Sequence, residues 1–248
     1  MLFRSVGFKQ TDVSLPGNSS LEVAVRRVFK GRAEWLAQGA DFSDWHLDVP
    51  SIHTTLKSFN NTIFGPWGRG QACSSMTIDP GESYDMHNIF ESYQYWNGDT
   101  LNVPGHVNDK LLQPTSNLKA DLGGDFDGVH RVTRSNWRIK CVARTDANGA
   151  AYEGFKAYAP DGTIYTFDQL RMIAVPPVPY NPMYQQMKLE AEMRVSKVED
   201  RFGNWVNYDY DAESRLTKIS ANDGREITLY YDLDPHRYNI TQIGRAHV

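Results

Sequence analysis

The chain has 248 residues, of which 40% are hydrophobic and 12% aromatic, so it can bury a large core and is not a disordered protein. Its formal net charge of −4 argues against nucleic-acid binding, which usually needs a basic face. No apolar run approaches the ~20 residues of a membrane-spanning helix, and no signal-peptide segment follows Met1.

Alternating apolar and polar residues predict β-strands in the first part of the chain. The many tyrosines, phenylalanines and tryptophans also favour strands over helices. Asp161-Gly162 lies between two such segments and predicts a hairpin turn. The alternating apolar positions include Leu21, Val23, Val25, Trp137, Ile139 and Cys141.

Residues 98–128 are rich in turn-forming residues, which predicts an irregular stretch. Turns are expected at Pro104-Gly105, Asn108-Asp109 and Gly123-Gly124. A short helix is expected only at residues 84–96. Residues 1–175 are therefore predicted to form an irregular, β-rich N-terminal domain.

Four prolines lie between residues 175 and 182. Proline is excluded from helix interiors and central strands, so residues 176–183 are predicted to be a linker. The second domain is expected at residues 184–242. Its first segment, residues 186–195, contains strong helix formers, but its apolar residues fall on every second position. This period predicts a long, half-buried strand, with a helix as the alternative.

The sequence after the linker repeats itself with a period of 21 residues. Such internal repeats are typical of stacked structural units. In each unit a glycine permits the positive φ of a hairpin turn, and alternating apolar residues follow it. The aligned pairs are Gly203 and Gly224, Val206 and Ile227, Tyr208 and Leu229, Tyr210 and Tyr231, Asp211 and Asp232, and Ile219 and Ile240.

A Tyr-Asp pair closes each repeat, and we interpret it as structural rather than catalytic. The aspartate begins the next turn, where its carboxylate can accept backbone N–H groups. Equivalent residues of successive hairpins are expected to lie in ladders across one sheet. The six positions interpreted as structural are Gly203, Tyr210, Asp211, Gly224, Tyr231 and Asp232.

Residues 200–211 (DRFGNWVNYDYD), followed by 215–219 (RLTKI) and 223–225 (DGR), resemble the YD repeat of bacterial Rhs proteins. Ser214 stands where the repeat usually has glycine, and residues 234–238 depart further from the pattern. The first domain resembles the segment that precedes such repeats. The matching stretches are residues 10–18, 44–50, 95–98, 103–105 and 161–165.

The resemblance implies an all-β fold that belongs to a hollow shell enclosing a C-terminal toxin or effector. The expected function is therefore structural, without catalytic residues or cofactors, in a secreted or cell-surface bacterial protein. The implied partners are downstream repeats and the C-terminal cargo of the same chain. The alternative is a surface carbohydrate-binding or adhesion module.

Other candidate sites have simpler interpretations. Trp45, Trp67 and Trp96 can stack on sugar rings, although large aromatic residues more often fill a core. Cys73 and Cys141 form either one disulfide or two buried thiols. Residues 121–128 can gather carboxylates around calcium, or bond their own turns. The histidines lack metal-ligand spacing, so no metal site is expected.

The last residues break the repeat pattern. A common sequencing-library adapter, read in one frame, encodes residues 242–248. We therefore predict that residues 243–248 are adapter read-through, and that the natural protein continues with further repeats. Because an unfinished sheet leaves an open edge, the isolated chain is expected to self-associate.

Overall fold

The alternating patterns of the sequence correspond to strands throughout the part of the chain that the structure describes. The computed structural model describes residues 8–29, 45–59, 62–76, 96–116, 127–146, 148–175, 186–232 and 240–246. These residues form sixteen strands in antiparallel sheets, which confirms the all-β prediction. The strands are β1 Phe8–Leu15, β2 Val23–Phe29, β3 His46–Leu47, β4 Ser51–Phe59, β5 Thr62–Ile63, β6 Thr100–Val103, β7 Val107–Lys110, β8 Val129–Val132, β9 Arg138–Thr145, β10 Ala151–Tyr158, β11 Ile164–Val175, β12 Gln186–Glu199, β13 Trp205–Tyr210, β14 Leu216–Ala221, β15 Glu226–Tyr231 and β16 Ile240–Ala246.

The chain divides into two compact units. One, the disulfide unit, is Pro50–Val195, and the other, the repeat unit, combines Met1–Val49 with Ser196–Val248. The residues of β12 are divided between the two units after Val195. The predicted linker at residues 176–183 lies outside the described residues, so the predicted domain boundary stays a prediction.

The disulfide unit is built on antiparallel pairs that run in the order β12, β11, β10, β9 and β8. Strand β4 also pairs with β12, β5 and β6, and β6 pairs with β7. The predicted hairpin at Asp161-Gly162 joins β10 to β11 as expected. A disulfide joins Cys73 to Cys141, which decides between the two predicted alternatives.

Strand β12 resolves the conflict between helix propensity and strand period. Residues 186–194 pair with β4 in unbroken antiparallel register, so the strand prediction is confirmed and the helix alternative is wrong. Ala191, Met193 and Val195 are buried, as the alternation predicts. Tertiary burial of this apolar face outweighs the weak helix preference of the individual residues.

The predicted irregular stretch contains more regular structure than expected. Pro104-Gly105 makes the predicted turn, with a positive φ at Gly105, and it connects β6 to β7. The turn predicted at Asn108-Asp109 is wrong, because both residues lie in β7 and pair with Asn102 and Leu101. The helix predicted at residues 84–96 and the turn at 123–124 fall outside the described residues, except for Trp96, which lies in a loop.

The repeat unit contains two sheets. Strands β1, β2 and β3 form one sheet, and β12 to β16 follow one another in sequence order in the other. Strand β2 packs on β14 and β15, so the N-terminal segment covers the repeat hairpins. The buried residues of this unit include Val23, Val25, Val206, Leu216, Ile219, Ile227 and Leu229.

Strand β16 includes part of the segment predicted to be adapter read-through. Its residues up to Ala246 pair with β15 in antiparallel register. A strand can pair whatever the origin of its codons. The adapter read-through of residues 243–248 therefore stays a prediction. Among the described residues, no helix has the length and apolarity needed to span a membrane.

Candidate functional site

One five-residue turn recurs in six hairpins of the described chain. The N–H of its first residue donates to the carbonyl of the fifth, and the N–H of the fourth donates to the carbonyl of the first. The fourth residue adopts a positive φ in every copy, which glycine does without strain. The fourth residues are Asn136, Gly149, Gly162, Gly203, Ser214 and Gly224, with φ values of 62, 84, 89, 85, 59 and 87°.

Aspartate carboxylates cap the turns. Asp200 Oδ1 accepts the backbone N–H groups of Phe202 and Asn204, at 2.8 and 2.9 Å. Asp211 Oδ1 accepts those of Glu213 and Arg215 in the same way, at 3.1 and 2.8 Å. These amides point into the turn and have no strand partner, so the carboxylate supplies the acceptor that they need.

The capping role extends beyond the two repeats that the sequence shows. In the disulfide unit, Asp146 Oδ1 accepts the N–H groups of Asn148 and Ala150, at 2.9 and 2.8 Å. Asp161 caps from the third position, where Oδ1 accepts the N–H of Thr163 at 2.8 Å. The hairpins of both units therefore share a turn chemistry that the 21-residue spacing did not reveal.

These hydrogen bonds lower the pKa of the capping carboxyls. The Asn204 side chain, aided by backbone amides of the turn, holds the pKa of Asp200 below its usual value. The backbone N–H of Thr163 does the same for the pKa of Asp161. Each hydrogen bond favours the charged form, so both carboxylates stay ionised at neutral pH.

The tyrosine of each repeat lies at a β-bulge. In the β13–β14 pair, the register shifts between Asp209 and Tyr210, and Tyr210 then faces Leu216. Thr217 is the extra residue, and its hydroxyl donates to the Asp209 carbonyl at 3.1 Å. The bulge re-aims the tyrosine and ends the pairing just before the capping aspartate.

The second repeat has the same bulge. The register of the β15–β16 pair shifts between Tyr230 and Tyr231, and Tyr231 faces Ile240. The hydroxyl of the extra residue, Thr241, donates to the Tyr230 carbonyl at 3.2 Å. Tyr210 and Tyr231 are therefore equivalent, as the repeat predicts.

The two repeats touch each other through these positions. The Tyr231 hydroxyl donates to the carbonyl of Leu216, the residue that faces Tyr210, at 2.8 Å. The guanidinium carbon of Arg215 lies 5.1 Å from the centroid of the Tyr231 ring, and Arg215 Nε donates to Asp211 Oδ2 at 2.6 Å. The tyrosine of one repeat thus binds the turn of the previous one, which links neighbouring hairpins in series.

The alignment of Ile219 with Ile240 is wrong. Ile219 faces Tyr208, whereas Ile240 faces Tyr231 and corresponds to Leu216. The residue that corresponds to Ile219 is Ile243, which faces Leu229. The loop after Asp232 is three residues longer than its counterpart, so the fixed spacing of 21 breaks there.

Asp232 itself is exposed, and the turn that it begins lies outside the described residues.

Arg225 anchors the repeat hairpins to the N-terminal segment. Its side chain is buried, and Nη1 donates to the carbonyls of Leu15 and Leu21, both at 3.1 Å. The single N–H of Nε donates to both carboxylate oxygens of Asp223, each at 2.8 Å, and this contact lowers the pKa of Asp223. A Cβ on Gly17 would lie 2.1 Å from the guanidinium carbon, so only glycine leaves room for it.

The three tryptophans considered as candidates for sugar stacking occupy different environments. Trp67 is only 5% exposed, packs on Phe155 and donates from its indole N–H to Asp99 at 3.0 Å, so neither ring face is open. Burial raises the pKa of Asp99, against the opposing effect of the Trp67 hydrogen bond. Trp45 and Trp96 are half-buried. Trp45 belongs to the repeat unit, whereas Trp67 and Trp96 belong to the disulfide unit.

Several functional positions were missed by the sequence reasoning. Asp200 and Asp146 each precede a glycine by three residues, and this Asp-x-x-Gly spacing was the available signal. Thr217 lies within the matching stretch 215–219, but nothing in the sequence indicated that it is the extra residue of a bulge. Arg225 lies within the matching stretch 223–225, but its anchoring contacts gave no signal, because the carbonyl acceptors lie more than 200 residues earlier in the chain.

Comparison with family models and with curated proteins finds no match to this chain. The described residues contain no cluster of three metal-ligating side chains. Residues 121–128, for which calcium binding was the alternative to turn bonding, lie almost wholly outside the described residues.

Proposed function

We propose that this chain is a non-catalytic structural part of a large Rhs/YD-repeat shell protein, in which repeated hairpins build a wall around a C-terminal toxin or effector. In this proposal the protein is secreted or lies at the bacterial cell surface. Its partners are the downstream repeats and the cargo of its own chain, and the wall needs no cofactor.

The serial contact between neighbouring repeats carries the proposal. Tyr231 binds the Leu216 carbonyl of the preceding hairpin, and its own strand pairs with the next one. Tyr231 makes this contact with a residue of the preceding repeat, so repeats placed in series support one another and the arrangement favours long uninterrupted arrays. A continuous sheet of this kind is suited to separating an interior from solvent.

The test uses the full-length protein, expressed with its natural C-terminal region and exposed to a protease. We expect a C-terminal fragment that co-purifies with the repeats and resists digestion until denaturant opens the wall. Gly203→Val strains a turn with φ of +85° and is expected to make that fragment sensitive. Phe202→Ser, at a 75% exposed position of the same turn, is the matched control and should leave protection unchanged. Equal digestion of the fragment with and without denaturant would reject the proposal.

The alternative, a carbohydrate-binding or adhesion module, has one observation in its favour. Phe8, Phe29 and Trp45 form a row of aromatic contacts on the three-stranded sheet, and Phe8 is 57% exposed. Glycan-array binding by the full-length protein that is lost in Trp45→Ala would support this alternative. If Trp45→Ala kept its glycan binding, the aromatic row would no longer support this alternative.

A further inference from the structure

The loop that carries Cys73 is held by side chains from the strands on both sides of Cys141. Glu153, on β10, accepts the backbone N–H groups of Cys73 and Ser74 through Oε2, at 3.1 and 2.8 Å. Arg131, on β8, donates from Nη2 to the Ser75 carbonyl at 2.7 Å. Cys141 lies on β9, which pairs with both of these strands. Three consecutive loop residues are thus fixed by a carboxylate and a guanidinium that flank the disulfide.

Two further contacts anchor the same loop upstream. The ring centroids of Trp67 and Phe155 lie 5.7 Å apart in the core of the disulfide unit, and the indole N–H of Trp67 donates to Asp99. Gly70 crosses β10 so closely that a Cβ there would lie 2.6 Å from the Ala151 carbonyl. None of these contacts involves sulfur, so they are available whether the cysteines are reduced or oxidised.

We propose that Glu153, assisted by Arg131, holds Cys73 beside Cys141 in the dithiol form, so that the loop closes first and the disulfide then locks it. Glu153 is a positioning residue, since it acts on the backbone of residues 73 and 74 rather than on either sulfur. The expected consequence is a high effective concentration of the two thiols before any oxidant arrives. This role of Glu153 in disulfide formation does not depend on whether the chain forms part of a shell.

The burial of the two cysteines sets the order of the reaction. Cys73 is fully buried, whereas Cys141 is partly exposed, so Cys141 meets the oxidant. Its thiolate attacks one sulfur of oxidised glutathione, the S–S bond breaks, and one glutathione leaves as a thiolate that takes a proton from water. Cys73 then loses its proton to water and attacks the Cys141 sulfur, which releases the second glutathione. Two protein thiols are oxidised, and one oxidised glutathione is reduced to two thiols.

In the test, the 248-residue chain is equilibrated in buffers of reduced and oxidised glutathione. Free thiols are then alkylated, and mass spectrometry measures the fraction of the protein with the disulfide. Loss of two charge-assisted hydrogen bonds in Glu153→Ala is expected to lower the effective thiol concentration at least about tenfold. Glu153→Gln keeps a carbonyl acceptor, so its effective thiol concentration should lie between those of the unmodified protein and Glu153→Ala. Glu213→Ala, which removes an exposed carboxylate from the repeat unit, should match the unmodified protein within about twofold.

A bridge-free background separates positioning from general instability. In the Cys73→Ser, Cys141→Ser double variant, the backbone amides at positions 73 and 74 should stay protected from hydrogen exchange. Adding Glu153→Ala should remove that protection while the amides of β9 and β10 remain protected. Free exchange at positions 73 and 74 with Glu153 intact would overturn the proposal. So would a Glu153→Ala protein whose effective thiol concentration equals that of Glu213→Ala.

Discussion

Ser214 is the residue that departs most clearly from the turn pattern. It occupies the fourth turn position with φ of 59°, where the other turn of its repeat and the turn that follows have glycine. A non-glycine residue in this left-handed region costs about 1 kcal/mol, because its Cβ approaches the following carbonyl oxygen. We predict that Ser214→Gly raises the free energy of unfolding by about 0.5–1 kcal/mol in urea titrations.

The control for this substitution is Ser220→Gly, on β14. Ser220 lies in extended backbone, where glycine loses more conformational entropy on folding than serine. This change should lower the free energy of unfolding by about 0.5–1 kcal/mol. If both substitutions shifted stability in the same direction, the role assigned to the fourth turn position would be wrong.

The capping carboxylates give the protein a defined acid sensitivity. The folded-state pKa of Asp200 is lowered by Asn204 and by backbone amides, so its stabilising contribution is full above the unfolded pKa of about 4 and is lost as pH falls through the folded value. We predict that the free energy of unfolding decreases as the pH falls below about 4, and that Asp200→Asn weakens this decrease. Urea titrations between neutral and acid pH measure it, and an unchanged pH dependence in Asp200→Asn would contradict the capping role.

The hairpin is the element in which sequence and structure agree best. Apolar alternation predicted β2, β9, β11 and β12, because each of these strands buries one face and the period of two survives in the sequence. The glycines of the repeat predicted the turns, since a positive φ strongly favours that residue. These signals are local, and they needed no knowledge of distant parts of the chain.

The features that the sequence did not reveal depend on distant contacts. Arg225 has its acceptors at Leu15 and Leu21, and Cys73 has its partner 68 residues later. The longer loop after Asp232 shifted the second repeat by three residues, so a fixed spacing aligned Ile240 with the wrong residue. Trp67 was a candidate for sugar stacking because no pattern in its glycine-rich turn indicates that the ring enters the core.

The anchor between the 15–21 loop and the β14–β15 turn is predicted to be sensitive to a single methyl group. Gly17→Ala would place its Cβ 2.1 Å from the guanidinium carbon of Arg225, which must then leave its carbonyl acceptors. Loss of these buried hydrogen bonds should lower the free energy of unfolding by about 2–3 kcal/mol. Hydrogen exchange should show β2 opening first.

The matched control for this anchor is Ser20→Ala. Ser20 lies exposed in the same loop, so its replacement should change stability by less than about 0.5 kcal/mol. A Gly17→Ala protein as stable as Ser20→Ala would show that Arg225 does not fix the loop.

At the scale of the whole molecule, the hairpins of both units share the same turn. Asp146 and Asp200 cap their turns identically, and both turns place glycine at the fourth position. The shared turn suits a protein assembled by adding hairpins to a growing sheet. In the sheet order, β16 is an end strand with a single neighbour among the described strands.

Such an end strand presents backbone N–H and C=O groups to other chains. We predict that the 248-residue chain self-associates at micromolar concentration, with a sedimentation coefficient that rises with concentration. A chain that sediments as a monomer at all concentrations and melts cooperatively would contradict this expectation.

Cryo-electron microscopy of the full-length protein tests the proposed wall most directly. We predict that the hairpin after Tyr231 pairs with a further repeat, and that successive tyrosines bind the preceding turn along a continuous sheet that encloses the C-terminal segment. A map in which the sheet stops after this hairpin, with the C-terminal segment exposed to solvent, would contradict the proposal.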